Sequence, residues 1–205
     1  MSRSVRIALA LAALGLGALA APPALLAQGP HRSGFWGESG GGPARIRVAC
    51  SGCAGVTHRS GSGGYFRVGG AVSSRVLLGV EAFSLVDEAF GFSEGDTTIV
   101  AENASFAAIV IWYPWRSGFF LKGGVGLASG EFTIAGTADP PIVSQGVGTG
   151  MTFGAGFDLP IWRGLALTGN AGGWVTAIGD VVLTDVTVDD VIATLYSLTL
   201  GVTLR

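Results

Sequence analysis

The chain has few charged residues and no long hydrophobic run beyond its amino terminus. Only 13% of its 205 residues are charged, whereas soluble domains carry about 25%. After the first thirty residues, the longest apolar run is Phe106 to Trp115, about half the length that a membrane-spanning helix requires. A hydrophobic content of 49% with a net charge of -2 also excludes a disordered chain. The composition therefore argues against a soluble domain and against a helical membrane protein.

Residues that carry most catalytic and metal chemistry are scarce as well. The sequence has two histidines and two cysteines, and we expect no catalytic residue, no cofactor and no metal site. Its 12 basic residues do not exceed its 14 acidic residues. A nucleic-acid surface is therefore not expected.

Glycine, by contrast, is abundant. It accounts for 35 of the 205 residues, against about 7% in average proteins, and the mean hydropathy is +0.55. In lipid, every backbone N–H and C=O must be paired within the protein, which leaves helices and closed β-barrels. Because no spanning helix is present, the sequence predicts a transmembrane β-barrel.

The amino terminus has the pattern of a secretory signal peptide. Two arginines precede Ile7 to Ala21, an apolar stretch that small residues follow, as in exported proteins. We expect cleavage after Ala27, with Ala20 as the alternative site. Residues 1–27 are then the signal peptide, and residues 28–205 are one barrel domain.

Apolar and small residues alternate in several segments. In residues 147–159, Met151 and Phe153 share one face with other apolar residues, and glycines and polar residues share the other. The same period of two occurs in residues 119–127 and 196–204, and it is typical of strands. In a membrane barrel, the apolar face contacts lipid and the small polar face lines the lumen.

Short turns and long polar stretches alternate along the chain. The three short turns contain Pro, Ser or Gly and lie at residues 73–75, 114–117 and 160–164. The four longer stretches lie near residues 50–62, 86–97, 135–146 and 179–193. These connections join eight strands, the number in the smallest common outer-membrane barrels. The predicted strands are residues 34–48, 63–72, 76–85, 98–113, 118–133, 147–159, 165–178 and 194–204.

Aromatic and charged residues orient the predicted barrel. An interfacial aromatic girdle is expected near the short turns, and its predicted members are Trp112, Tyr113, Trp115 and Trp162. Each short turn also contains one arginine, whereas three of the long stretches are acidic. In such barrels, short turns face the periplasm and long loops face the exterior.

The segment Tyr113-Pro-Trp-Arg-Ser-Gly-Phe-Phe-Leu-Lys-Gly-Gly-Val-Gly126, with the signal peptide and the eight alternating strands, resembles the small outer-membrane β-barrel family, broadly OmpA-like. The resemblance covers the whole mature chain. It implies an eight-stranded antiparallel up-and-down barrel in the cell outer membrane, inserted by the barrel-assembly machinery and surrounded by outer-membrane lipid and lipopolysaccharide. It implies no reaction. The chain departs from the family by ending Thr203-Leu204-Arg205, where many members finish in an aromatic residue.

One ion pair inside the barrel follows from strand register. If residues 73–75 form a three-residue loop, Val72 pairs with Val76. Counting outward from that pair places Arg67 opposite Glu81, with both side chains inward. Opposite charges facing each other across two strands stabilise a sheet.

Lys122 and Asp158 lie on the inward faces of two neighbouring predicted strands, and they form a second predicted pair. These charges allow two functions. A polar plug that locks register is favoured, because the side chains of an eight-stranded barrel about fill its interior. A narrow ion pore or gate is the alternative, since inward glycines leave more room than average.

The chain's two cysteines, Cys50 and Cys53, lie where the first strand meets the first long loop. In an oxidising compartment, two nearby thiols usually form a disulfide, and a local disulfide is predicted here. A thioredoxin-type redox pair lacks its βαβ context, and a zinc site would need two further ligands.

A lipid-modifying enzyme is the alternative from a different class. Esterase-type chemistry needs a nucleophile and a base, for which His58 with Ser60 or Ser62 is the candidate set. Neighbours in a glycine-rich loop are poorly held for catalysis. An exposed loop histidine is therefore favoured, and no enzymatic function is predicted.

The acidic loops raise the possibility of calcium binding, with Asp185, Asp189 and Asp190 as the best candidates. Oxygen-rich clusters suit calcium, yet no spacing here matches a defined calcium loop, and solvated loops are favoured. The prediction is a monomeric integral outer-membrane protein with a structural or surface-interaction role.

Overall fold

A computed structural model describes residues 34–49, 57–87, 91–93, 96–115, 118–135, 142–183 and 186–205. The predicted signal peptide lies outside the described residues, as do Cys50, Cys53 and Asp185.

The described residues form nine antiparallel strands. Eight are long, and β4 is a three-residue strand beside β5. The strands are β1 (Gly34–Ala49), β2 (Thr57–Ser73), β3 (Val76–Asp87), β4 (Gly91–Ser93), β5 (Asp96–Trp112), β6 (Phe119–Ala135), β7 (Ile142–Trp162), β8 (Leu165–Leu183) and β9 (Val186–Leu204).

The eight long strands close into a barrel. Each pairs with its neighbours along the chain, β3 pairs with β5 past the short β4, and β1 pairs with β9. Closure leaves none of the eight long strands as a sheet edge, so their backbone groups find hydrogen-bond partners on neighbouring strands. The predicted eight-stranded antiparallel fold is confirmed. No helix in the described residues is long and apolar enough to cross a membrane.

Strand positions agree with the alternation in the sequence, and the differences lie mainly at the long-loop end. There β2 begins at Thr57 and β9 begins at Val186, so much of the predicted loops at residues 50–62 and 179–193 is strand. Polar residues can continue these strands, because backbone hydrogen bonds to the neighbouring strands stabilise them whether or not the side chains are apolar.

The glycine run in β1 reflects close approach between strands. Residues 40–42 show no alternation, yet they pair with both β2 and β9 over most of that length. A Cβ added at Gly40 would lie 2.4 Å from the carbonyl oxygen of Leu200. A residue with a side chain would therefore not fit at this position.

The first short turn is tighter than predicted. Ser73 pairs with Val76, and Ala71 pairs with Leu77, so Val72 is a bulged residue and does not pair with Val76. The bulge adds the residue that the shorter turn removes. The predicted register beyond the turn is therefore preserved, and Arg67 pairs with Glu81.

The outer wall is apolar wherever the sequence alternates. Met151 on β7 is 61% exposed and Leu200 on β9 is 68% exposed, as are the outward residues around them. Trp112, Trp115 and Trp162 are exposed near the short turns, where the girdle was predicted. The cylinder thus presents an apolar band with an aromatic rim at its short-turn end.

Candidate functional site

Four ionised side chains meet inside the barrel in a group that we call the central charge cluster: Glu38, Arg67, Glu81 and Lys122. The Arg67 guanidinium donates from Nη1 to Glu38 Oε1 at 2.7 Å and from Nε to Glu81 Oε2 at 2.5 Å. The Lys122 ammonium donates to the same Glu81 oxygen at 2.5 Å. Arg67 and Glu81 are each 1% exposed. Two cations and two anions make the cluster neutral, which offsets the cost of burying each charge.

Neutral side chains complete this cluster. The Tyr65 hydroxyl donates to Glu38 Oε1 at 2.7 Å, and the Thr152 hydroxyl donates to Glu81 Oε1 at 3.2 Å. The Arg67 guanidinium also lies 4.2 Å from the centre of the Tyr65 ring, a cation–π contact. Five strands therefore supply the cluster, and it ties β1, β2, β3, β6 and β7 together across the lumen.

A second polar group, the turn-end cluster, lies nearer the short turns and consists of Tyr113, Asp158, Thr168, Thr203 and Arg205. The carboxylate of Asp158 accepts from Tyr113 at 2.7 Å and from Thr168 at 2.8 Å. It also pairs with the Arg205 guanidinium, which donates to the Tyr113 hydroxyl at 2.8 Å as well. Thr203 shares a hydrogen bond with Thr168 at 2.6 Å.

The predicted pair between Lys122 and Asp158 is wrong. Lys122 lies opposite Gly154, whereas the Asp158 amide bonds the Gly118 carbonyl, so the two residues sit at different levels. Between these levels Phe120 is fully buried over Gly156. Lys122 therefore reaches Glu81 on the other side, and Asp158 takes Arg205 as its ionic partner.

Tyr113 is not part of the aromatic girdle. It is 2% exposed and points into the barrel, where it contacts Asp158 and Phe120. The neighbouring Trp112 faces outward, and successive residues of an extended chain point to opposite sides. Alternation alone would have assigned Tyr113 to the interior.

The interior contains large apolar side chains as well as polar ones, contrary to the prediction of small polar residues alone. Inward aromatic rings lie over glycines of neighbouring strands. A Cβ at Gly63 would lie 2.5 Å from Phe83, and a Cβ at Gly156 would lie 2.3 Å from Phe120. Trp36 on β1 reaches past β2 and lies over Gly79 on β3, where a Cβ would lie 3.0 Å from its ring. These three glycines are thus matched to rings, and they do not simply widen the lumen.

The other predicted site residues that the structure describes lie on strands. His58 lies within β2, opposite Arg47, and not in a loop; Ser60 and Ser62 lie on the same strand and are exposed. Asp189 and Asp190 fall within β9. No group of three or more potential metal ligands occurs in the part of the chain that the structure describes.

Sequence reasoning missed Glu38, Tyr65 and Arg205. Glu38 precedes the glycine run that hid the alternation of β1, but it is two residues from Trp36, and both side chains are inward. Tyr65 is two residues from Arg67 and shares its face. Arg205 follows Thr203 by two residues, which is the signal that it also faces the interior.

Comparisons with known proteins identify the fold. No protein-family model matches the chain, and no curated protein matches it. Neisserial surface protein A has a similar structure, with a TM-score of 0.54, 17% identity and coverage of 84% of this chain and 97% of that one. Ail, the attachment invasion locus protein of Yersinia pestis, has a TM-score of 0.55, 16% identity and coverage of 84% and 99%.

A major outer membrane protein from Thermus thermophilus is also similar, with a TM-score of 0.52, 14% identity and coverage of 85% of this chain and 100% of that one. The chain has the fold of the small outer-membrane β-barrels. At these identities the likeness extends to architecture, and function has to be argued from this chain's own residues.

Proposed function

We propose that the protein is an integral outer-membrane barrel with a structural or surface-interaction role, whose lumen is closed by its own side chains. The observation that carries this proposal is the buried Arg67–Glu81 pair at the centre of a neutral cluster drawn from five strands. Its outward apolar face and aromatic rim suit a bilayer. Outer-membrane lipid and lipopolysaccharide are its proposed surroundings, the barrel-assembly machinery its route of insertion, and a monomer its proposed state.

Closure is supported at two levels of the interior. The central charge cluster spans the lumen, and the turn-end cluster lies between it and the short turns. Phe120 is buried between them. An ion crossing this path would have to displace hydrogen-bonded charges, and breaking a buried pair costs about 3–5 kcal/mol.

Conductance in planar lipid bilayers tests closure. We expect purified wild-type protein to insert without steady conductance. The triple variant Arg67→Ala with Glu81→Ala and Phe120→Ala, which removes the central side chains, should conduct if it still folds. A matched outward variant, Met151→Ala, should behave as wild type. Steady conductance of the wild-type protein would favour the alternative function, a narrow pore.

Membrane integration has its own test. The protein should require detergent or lipid to stay monodisperse, show β-type circular dichroism, and migrate differently on gels before and after boiling. A protein that stays monodisperse without detergent or lipid would contradict the proposed membrane location.

The proposed absence of catalysis is also testable. Ser60 and Ser62 are exposed on the outer wall of β2. We expect no release of fatty acid from phospholipid or lipid A by the purified barrel. Release that disappears in a His58→Ala variant would instead identify a lipid-modifying enzyme.

A further inference from the structure

In the described part of the outer wall, polar side chains replace the apolar band toward the long-loop end of β1 and β2. Arg45 and Arg47 are exposed on the outward face of β1, two residues apart, and exposed Ser60 lies opposite Arg45 on β2. Tyr196, which is 53% exposed, lies opposite Arg45 on β9. Two guanidinium groups and two hydroxyl-bearing side chains thus share one surface across three strands.

A groove of about 400 Å³ runs through this region. Pro43, Arg45, Ser60, Tyr196 and Leu198 are among its lining residues. It overlies an interruption in the pairing of β1 with β9, which stops at Gly41 and resumes at Ala44. Pro43 has no N–H to give to that ladder. The groove therefore combines a polar side at Arg45 with an apolar side at Leu198.

The height of this region on the barrel matches the membrane interface. Arg45 follows Gly34, at the short-turn end, by 11 residues. At a rise of about 3.3 Å per residue and a tilt of about 40°, this is roughly 28 Å along the barrel axis, against an apolar band about 25 Å tall. Arg45 and Arg47 thus lie at the far edge of the band, where lipid headgroups begin.

Within the described residues, Arg45 and Arg47 form no ion pair. The acidic partners of the four ion pairs in that part of the chain all lie inside the barrel. Two arginines about 7 Å apart along a strand can converge on one phosphate with charge-assisted hydrogen bonds. The adjoining hydroxyls suit a sugar, and the apolar side suits an acyl chain.

We propose that this groove is a binding site for a phosphorylated, acylated saccharolipid of the lipid A class. This inference rests on the proposed outer-membrane location, in which the long-loop end faces the exterior leaflet. Arg45 and Arg47 hold a phosphate, Ser60 and Tyr196 contact the sugar, and Pro43 and Leu198 contact the first part of an acyl chain.

The test is titration of folded protein in neutral detergent with lipid A, followed by native mass spectrometry. We expect a one-to-one adduct with wild type and roughly tenfold weaker binding by Arg45→Gln with Arg47→Gln. Arg75→Gln with Arg163→Gln is the matched control, because it removes two exposed arginines from the opposite end. Binding unchanged in the first variant, or weakened equally in both, would overturn the proposal.

Two further arms identify the ligand chemistry. Dephosphorylated lipid A and phosphatidylglycerol should both bind about tenfold more weakly than lipid A, since one lacks phosphate and the other lacks the disaccharide. Equal binding of either lipid would contradict the assigned class. Arg45→Lys with Arg47→Lys should bind with intermediate strength, because it keeps the charge and loses the bidentate geometry.

Insertion of every variant into phosphatidylcholine vesicles, measured by the gel shift on boiling, separates this inference from the proposed function. If the variants insert and bind lipid A like wild type, only the site is wrong. If wild type inserts into no bilayer, the membrane assignment itself fails.

Discussion

Glu81 is the residue on which the central charge cluster depends, because it accepts from Arg67, Lys122 and Thr152. Glu81→Gln would leave two buried cations with one remaining anion. We expect a loss of about 3–5 kcal/mol in the free energy of unfolding, measured by urea titration in phosphatidylcholine vesicles. Adding Lys122→Met should recover part of that loss, since Arg67 and Glu38 remain paired. Strictly additive losses in the double variant would show that the charges are not coupled.

Gly156 shows how a single residue sets the packing of the interior. A Cβ there would lie 2.3 Å from Phe120 Cζ, and Phe120 is fully buried. Gly156→Ala should therefore cost about 1–3 kcal/mol of unfolding free energy, and Phe120→Leu should relieve part of it. Gly123→Ala is the control, because a Cβ at Gly123 has no neighbour within 4 Å. Similar costs at the two positions would rule out overpacking as the cause.

At the level of strands and turns, Gly118 closes the connection between β5 and β6. Its φ is 93°, and a Cβ would lie 2.4 Å from the Asp158 carbonyl oxygen. Gly34 has a similar φ of 90° with no neighbour within 4 Å. Each substitution should cost about 1–3 kcal/mol in backbone strain, because alanine disfavours a positive φ. Only Gly118→Ala also creates a clash with the backbone. We therefore expect Gly118→Ala to lower the unfolding midpoint more than Gly34→Ala. Equal midpoints in the two variants would refute this distinction.

Much of this element-scale structure was accessible from the sequence. Met151, Phe153 and Leu200 alternate with small residues, and a period of two fixes both the strand and the face. The Arg67–Glu81 register could also be counted, because a bulge at Val72 compensates for the shorter turn. The Lys122–Asp158 pair could not be predicted in this way, since reach across the lumen depends on which rings lie between two side chains.

The same limit explains the turn-end cluster. Arg205 and Tyr113 are 92 residues apart in the chain and meet only after β9 and β5 have taken their places in the closed barrel. Local pattern assigns each residue to a face, but barrel shear decides which inward residues share a level. Long-range contacts inside the lumen therefore required the three-dimensional structure.

On the scale of the whole molecule, Arg205 links the last strand to β7 and β5 through Asp158 and Tyr113. The Arg205 side chain is 22% exposed and Asp158 keeps two hydroxyl donors. Removing the Arg205 side chain should therefore cost less free energy of unfolding than removing the Glu81 carboxylate. We expect about 1–2 kcal/mol, within the range for hydrogen bonds to charged groups. Arg205→Met should lower the temperature at which the folded gel band disappears, whereas Arg163→Met, an exposed arginine in the adjacent turn, should leave it unchanged. Because the Arg205–Asp158 pair is partly buried, salt should reduce the difference in melting temperature between the two variants only weakly. If high salt abolishes that difference, the contact lies in open solvent and does not help to hold the barrel closed.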